Sequence, residues 1–346
     1  MSNHKQVESD TIKKTDNLLS SIQPKFRPTV IDYINSLRFV TQPRTRYEYL
    51  LNLKQFLSYL DDAAFGFNTI NDLGSLKSKD FMNYLLYIEH YVVDGVERHN
   101  SVNSIRRKFT AVKRFMDYLY RTDIISTNEI NKVEMPKSAK KKPIIYMTHD
   151  ETSSLLDNIK NGTNLSDREK KFHEKLKNRD LALILLVLST GIRASECVEL
   201  DVDDINLKTT TILVTRKGGK QEILYFSDEC AQYMKIYLDE RANNKHIPDT
   251  EKALFISNRN KRICIRAAQN LVTKYNTSLK HITMHKLRST FATNLYQATG
   301  DIASVAEALG HEDVNTTKKH YAHISEDIKR KNRNLVSYET KGDDEQ

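Results

Sequence analysis

The most regular stretch of the chain is Ser101–Tyr120, where Val102, Ile105, Phe109, Val112, Met116 and Leu119 recur at steps of three and four. That spacing lays them on one stripe of a 3.6-residue helix and predicts an amphipathic helix facing a core. Two weaker patterns precede it. Thr45–Leu60 carries Leu50, Leu53, Leu57 and Leu60 on one stripe; Ser78–Val92 opens on Ser-Lys-Asp and carries Phe81, Leu85 and Ile88. Residues 1–27 lack such a period and are rich in Ser, Lys, Asp and Asn, so a flexible tail is expected there. Residues 28–134 then read as an all-helical domain. Met135–Tyr146 breaks the pattern with Pro136 and Pro143 around a run of lysines, and 135–147 is expected to be an exposed basic linker.

Past the linker the periods change more often. Thr148-His149-Asp150-Glu151 has the form of a capping box, and the helix it starts should end near Asn161-Gly162. Residues 163–178 are charged and read as an insertion, part of it a solvated helix. Leu181–Thr190 is apolar all round, as a central core helix would be, and Thr190-Gly191 should end it. Thr211–Thr215 and Glu222–Phe226 are β-branched and apolar about Lys217-Gly218-Gly219-Lys220, which predicts a hairpin. Helical spacing returns at Asp228–Arg241, at Arg266–Thr277 and again from Met284, and Ile302, Val305 and Leu309 lead to a stop at Gly310. The fold class is therefore mainly α: an all-helical first domain, and a mostly helical second domain over 148–325 with a small antiparallel β element. Residues 326–346 form a C-terminal tail.

Composition narrows the function classes. There are 54 Lys and Arg against 45 Asp and Glu, a net charge of +9. That balance suits nucleic acid or an acidic membrane surface. No run approaches the roughly 20 apolar residues of a membrane span, and the polar N-terminus lacks a signal-peptide core. Cys197, Cys230 and Cys264 are odd in number and widely spaced, with neither a disulfide framework nor a zinc ligand pattern. A cytoplasmic protein without membrane attachment is expected. Arg106, Arg107, Lys113 and Arg114 gather on one outer side of the Ser101–Tyr120 helix, and with Lys140, Lys141 and Lys142 of the linker they are the candidate DNA-backbone contacts. A solvated basic face is the plain alternative for the helix.

The chemistry concentrates in Met284–Ile324. His285 and Arg288 share a helix face, His311 follows the Gly310 stop, and Tyr321 stands among Lys318, Lys319, His320 and His323. Arg193, at a helix start within the core domain, must meet an acid or a phosphate, and Glu196 one turn on is its simplest partner. Singly, each residue has an ordinary structural explanation. In order, Arg193, Lys217, His285, Arg288, His311 and Tyr321 supply what metal-free phosphodiester exchange requires. Arginine forks neutralise the non-bridging oxygens, a phenolic oxygen attacks, and lysine and histidine move protons. Acidic clusters suited to Mg²⁺ are missing from this stretch and no GxxxxGK[ST] occurs, so neither a metal nor a nucleotide cofactor is expected.

TGIRASE (Thr190–Glu196), the RKGGK turn, HKLRSTFAT (His285–Thr293) and ALGHEDVNTTKKHYAHI (Ala308–Ile324) closely resemble the motifs of the tyrosine recombinases, the family of phage integrases, Xer recombinases and conjugative-transposon integrases. The resemblance spans the second domain; the first is similar only in kind, as a helical core-binding module. It implies that Arg193, His285, Arg288 and His311 activate the phosphate and that Tyr321 is the nucleophile. Lys217 would be the general acid, with Lys220 as the fallback, and Glu196 would buttress the site. It also implies a clamp on double-stranded recombination sites, four protomers in synapsis, a Holliday junction, and a C-terminal tail that docks on a neighbour. An accessory DNA-bending or directionality factor belongs to the same picture. Tyr321 lies ten residues past His311 where many members have nine, and the 163–178 insertion is a second departure. Integration or excision of a mobile element in a prokaryotic nucleoid is the expected setting. Xer-type dimer resolution is the alternative, followed by a type IB topoisomerase or a catalytically silent regulator.

Overall fold

The computed structural model describes residues 3–63, 65–93, 95–138, 144–216, 218–277, 280–310, 314–315 and 318. The chain divides into two compact units, Met1–Lys141 and Lys142–Gln346.

In the first unit the apolar spacing becomes α2 (Arg27–Ser36), α3 (Pro43–Asp62), α4 (Ser78–Glu89) and α5 (Val102–Arg121). Ser101 caps α5 by accepting a hydrogen bond from the Ser104 amide. Below that cap Ile105, Phe109, Val112, Met116 and Leu119 are all buried, as their steps require. They meet Phe56, Tyr84 and Tyr33 in one core, where burial of each large apolar side chain contributes about 1.5–3 kcal/mol.

Two expectations fail in this unit. The stretch expected as a tail contains α1 (Asn3–Ser20), which packs on α3; Leu18 and Leu19 lie against the first core, and Ile22 and Phe26 beyond them are buried. Nor is the unit all-helical. The helix expected to reach Val92 stops at Glu89, and β1 (His90–Val93) and β2 (Val96–His99) form an antiparallel hairpin in register His90↔His99. Gly95, at φ +73°, supplies the left-handed backbone of its turn.

The second unit is built on α6 (His149–Asn161), whose Thr148–Glu151 capping box forms, and on α7 (Asp167–Thr190). From Asp167 on, the charged insertion and the apolar core helix are one continuous helix. Its first turns are solvated, whereas Leu181–Val187 is buried on every side. Around it lie α8 (Ala194–Glu199), α9 (Asp228–Ala242), α10 (Ile265–Tyr275), α11 (Met284–Thr299) and α12 (Ile302–Ala308). The predicted hairpin is present as β4 (Thr211–Thr215) and β5 (Gln221–Tyr225), and a two-residue strand, β3 (Ile205–Asn206), extends it to a three-stranded antiparallel sheet. Ile212, Val214 and Leu224 point into the core from this sheet.

The linker is narrower than 135–147. Met135 packs on the first core, Ile144 and Tyr146 pack beside α11 and α12, and Met147 is buried with its amide on Thr290 Oγ1 at 2.9 Å. Lys140, Lys141 and Lys142 lie outside the described residues. Among the described residues no helix is long and apolar enough to cross a membrane.

Candidate active site

The site begins where α7 ends. Thr190 Oγ1 donates to Leu186 O at 2.6 Å and accepts from the Ile192 amide at 3.2 Å, which turns the chain sharply at Gly191. Gly191 has φ +63°, and a Cβ there would stand 2.4 Å from Phe291 Cδ1, so only glycine fits. This turn delivers Arg193 to the start of α8. Its amide donates to Glu196 Oε2 at 3.0 Å and its guanidinium to Glu196 Oε1 at 2.7 Å. The plain partner expected for Arg193 is therefore present. It does not exhaust the side chain, which remains 37% exposed and faces a cleft.

That cleft, about 750 Å³, is lined by Arg193 together with His285 and Arg288, and by Arg266 and His281. Thr283 caps α11 and sets His285 and Arg288 on one face, one turn apart. His285 is exposed on that face, and Arg288 is buried with its guanidinium on the carbonyls of Gly191 and Leu309. Three sequence-predicted residues thus meet in one place. Glu196 stands behind Arg193, bonded to its guanidinium. Burial pushes its carboxyl up, but the Arg193 amide and guanidinium bonds, with the charges of Arg216 and Arg193, outweigh that and hold it below the usual range.

Arg216 is the participant that sequence reasoning missed. It is 7% exposed, with Nη1 2.8 Å from Glu196 Oε2 and Nε 2.8 Å from Glu222 Oε2. Its Nη2 donates to Ala308 O at 3.3 Å, while Arg193 Nη2 reaches Gly310 O at 3.4 Å. Three arginines therefore occupy three successive carbonyls, 308, 309 and 310, at the end of α12. The negative end of a helix favours cations. A signal for Arg216 existed: Ile212 and Val214 are alternate positions of β4, and Arg216, one residue past its end, continues the period that buries them.

Other predicted residues are placed differently. Lys217, His311 and Tyr321 lie outside the described residues, and Lys220 is exposed on the β4–β5 turn. On α5, Arg107 and Arg114 are exposed, with the Arg114 guanidinium 5.5 Å from the Tyr49 ring centroid, and Lys113 is half-buried. Arg106 is also half-buried and donates to the Pro136 carbonyl, which fixes the chain leaving the first unit. Among the described residues, the group able to ligate a metal is His90, Glu97 and His99 on the β1–β2 hairpin, all exposed.

A mostly helical unit that gathers arginine forks and a histidine in one cleft suits the class of enzymes that act on phosphodiesters. The chain belongs to the phage integrase family, whose model matches residues 146–327, and it is a tyrosine recombinase. It is 32% identical over 338 residues to tyrosine recombinase XerC of Caldanaerobacter subterraneus subsp. tengcongensis, covering 91% of this chain and 89% of that protein. To tyrosine recombinase XerS of Streptococcus thermophilus it is 32% identical over 340 residues, covering 89% and 94%. Its fold is shared with the XerH site-specific recombinase bound to palindromic difH substrate, at a TM-score of 0.66, 19% identity and coverage of 94% and 89%. The Tn1549 transposon integrase, in complex with a circular intermediate DNA, shares it at 0.63, 19%, and 89% and 98%.

Proposed function

We propose that this recombinase cuts and rejoins double-stranded DNA at specific sites through a 3′-phosphotyrosyl intermediate on Tyr321. The observation that carries the reading is the convergence of Arg193, His285 and Arg288 on one cleft, with Glu196 fixing the first of them. Incoming phosphate oxygens are stronger acceptors than the carbonyls that Arg193 and Arg288 now hold, and two forks on one phosphate would neutralise it and set it in line. Tyr321 Oη then bonds to phosphorus as the bond from phosphorus to the 5′-oxygen breaks. The phenolic proton passes to a histidine of the site, and Lys217 gives its proton to the departing 5′-oxygen, with Lys220 as the fallback donor. No water is consumed, so the phosphodiester energy is kept and a 5′-hydroxyl can reverse the step. His311 completes the cradle of the non-bridging oxygens.

The partners in this reading are two duplex recombination sites and three further copies of the chain, with strands exchanged in pairs through a Holliday junction. An accessory DNA-bending or directionality factor, a C-terminal tail docked in trans, and a place on the prokaryotic nucleoid belong to it. Arg107 and Arg114 of α5 and the lysines at 140–142 would follow the DNA backbone. Integration or excision of a mobile element is one setting. Xer-type resolution of chromosome or plasmid dimers is the other, and the likeness to XerC and XerS along nearly the whole chain favours it.

The test uses nicked duplexes selected by covalent capture from a random-sequence pool. The wild-type protein should form a denaturation-resistant protein–DNA adduct that Tyr321→Phe abolishes, while Arg193→Ala slows it by about 10²–10³-fold. An adduct that survives Tyr321→Phe would mean another nucleophile. Plasmid relaxation without any joining of paired sites would point to a topoisomerase instead.

A further inference from the structure

We propose that Arg216 is a positioning residue: clamped between Glu196, Glu222 and the end of α12, it fixes the β4–β5 turn and so sets where that turn's lysine presents its proton. This rests on the reading of Lys217 as general acid given above. The side chain and the backbone of Arg216 are both committed. The guanidinium holds two carboxylates, each at 2.8 Å, and the Ala308 carbonyl at 3.3 Å. The amide donates to Lys220 O at 2.7 Å, and the carbonyl accepts from the Gly219 amide at 3.0 Å. The turn that carries Lys217 is thus closed at a residue whose side chain is buried in the supports of the site.

Its difference from the other two arginines gives it this role. Arg193 and Arg288 line the cleft and hold backbone carbonyls that a phosphate can replace. Arg216 does not line the cleft, and it is neutralised by Glu196 and Glu222, so a phosphate has no reason to draw it away. It keeps β4, α8 and the end of α12 together while the other two change partners. Gly310 is the matching adaptation, since a Cβ there would lie 2.9 Å from Arg216 Nε.

The experiment compares adduct formation on two versions of the nicked duplex, one with the natural 5′-oxygen at the scissile phosphate and one with sulfur in its place. A thiolate leaves without a donated proton, so the sulfur substrate bypasses the general acid. Arg216→Gln should slow adduct formation on the oxygen substrate by about 100-fold, the scale of an ångström-level misplacement. On the sulfur substrate it should recover to within about threefold of wild type, with DNA affinity unchanged. Arg216→Lys, which keeps the charge and loses the fork, should fall between. Equal slowing on both substrates, or none on either, overturns the proposal. Should Arg216→Gln fail to fold, Glu222→Gln at the outer edge of the clamp must show the same sulfur-selective recovery, and its absence is equally fatal. A wild-type protein that forms no adduct on either substrate refutes the underlying reading, which separates that failure from this one.

Discussion

Glu196 shows how one side chain can serve two neighbours. One oxygen receives the Arg193 guanidinium, and the other receives the Arg193 amide and Arg216. Its folded-state pKa lies below the ordinary 4.5, so as acid is added the unfolded chain takes up the proton first. The stabilisation is complete above that ordinary value and is lost as the pH falls through the depressed folded value. Glu196→Gln should therefore flatten the acid limb of the Tm–pH profile and cost about 1–3 kcal/mol at neutral pH. An acid limb as steep as that of wild type would contradict this. Arg193 and Glu196 were legible as a pair because the sequence sets them one helical turn apart. The second claim on Glu196 was not, because it comes from Arg216, twenty residues away in another element.

Elements were legible where one apolar period ran unbroken. α5 and the β4–β5 hairpin appear with nearly the bounds their spacing predicts. α1 was not, because its sequence is too polar to show a stripe and its helix rests on contacts with α3. The β1–β2 hairpin was hidden by helical spacing that ran on to Val92, although the Asp94-Gly95 pair between valines was a turn signal. The join of α7 to α10 was equally invisible, since it depends on polar groups far apart in sequence. Tyr275 Oη donates to Asp180 Oδ2 at 2.9 Å and accepts from Lys274 Nζ at 2.8 Å, while Arg179 holds the other Asp180 oxygen. Burial and the Asp180 charge push the phenol up, so it remains a donor. Tyr275→Phe keeps the ring but removes the hydrogen bond to a buried carboxylate oxygen, leaving it Lys274 at 3.8 Å, and should lower unfolding free energy by about 1–3 kcal/mol in urea. A loss near zero would show that Lys274 alone satisfies Asp180.

At the scale of the whole molecule, the second unit carries the site and the first offers a basic helical face. Arg193, His285 and Arg288 meet on one cleft of the second unit, with Glu196 bonded to the first. Lys217, His311 and Tyr321 were legible from motif order and lie outside the described residues. In the proposed reaction Tyr321 becomes covalently joined to a DNA 3′ end, with Arg193 and Arg288 on the phosphate. Protease digestion of the trapped complex, followed by mass spectrometry of the nucleotide-bearing peptide, tests it most directly. The predicted product is the peptide containing Tyr321, its phenolic oxygen esterified to a 3′-phosphate, with a free 5′-hydroxyl on the released strand. Attachment through another residue, or to a 5′-phosphate, would contradict the account.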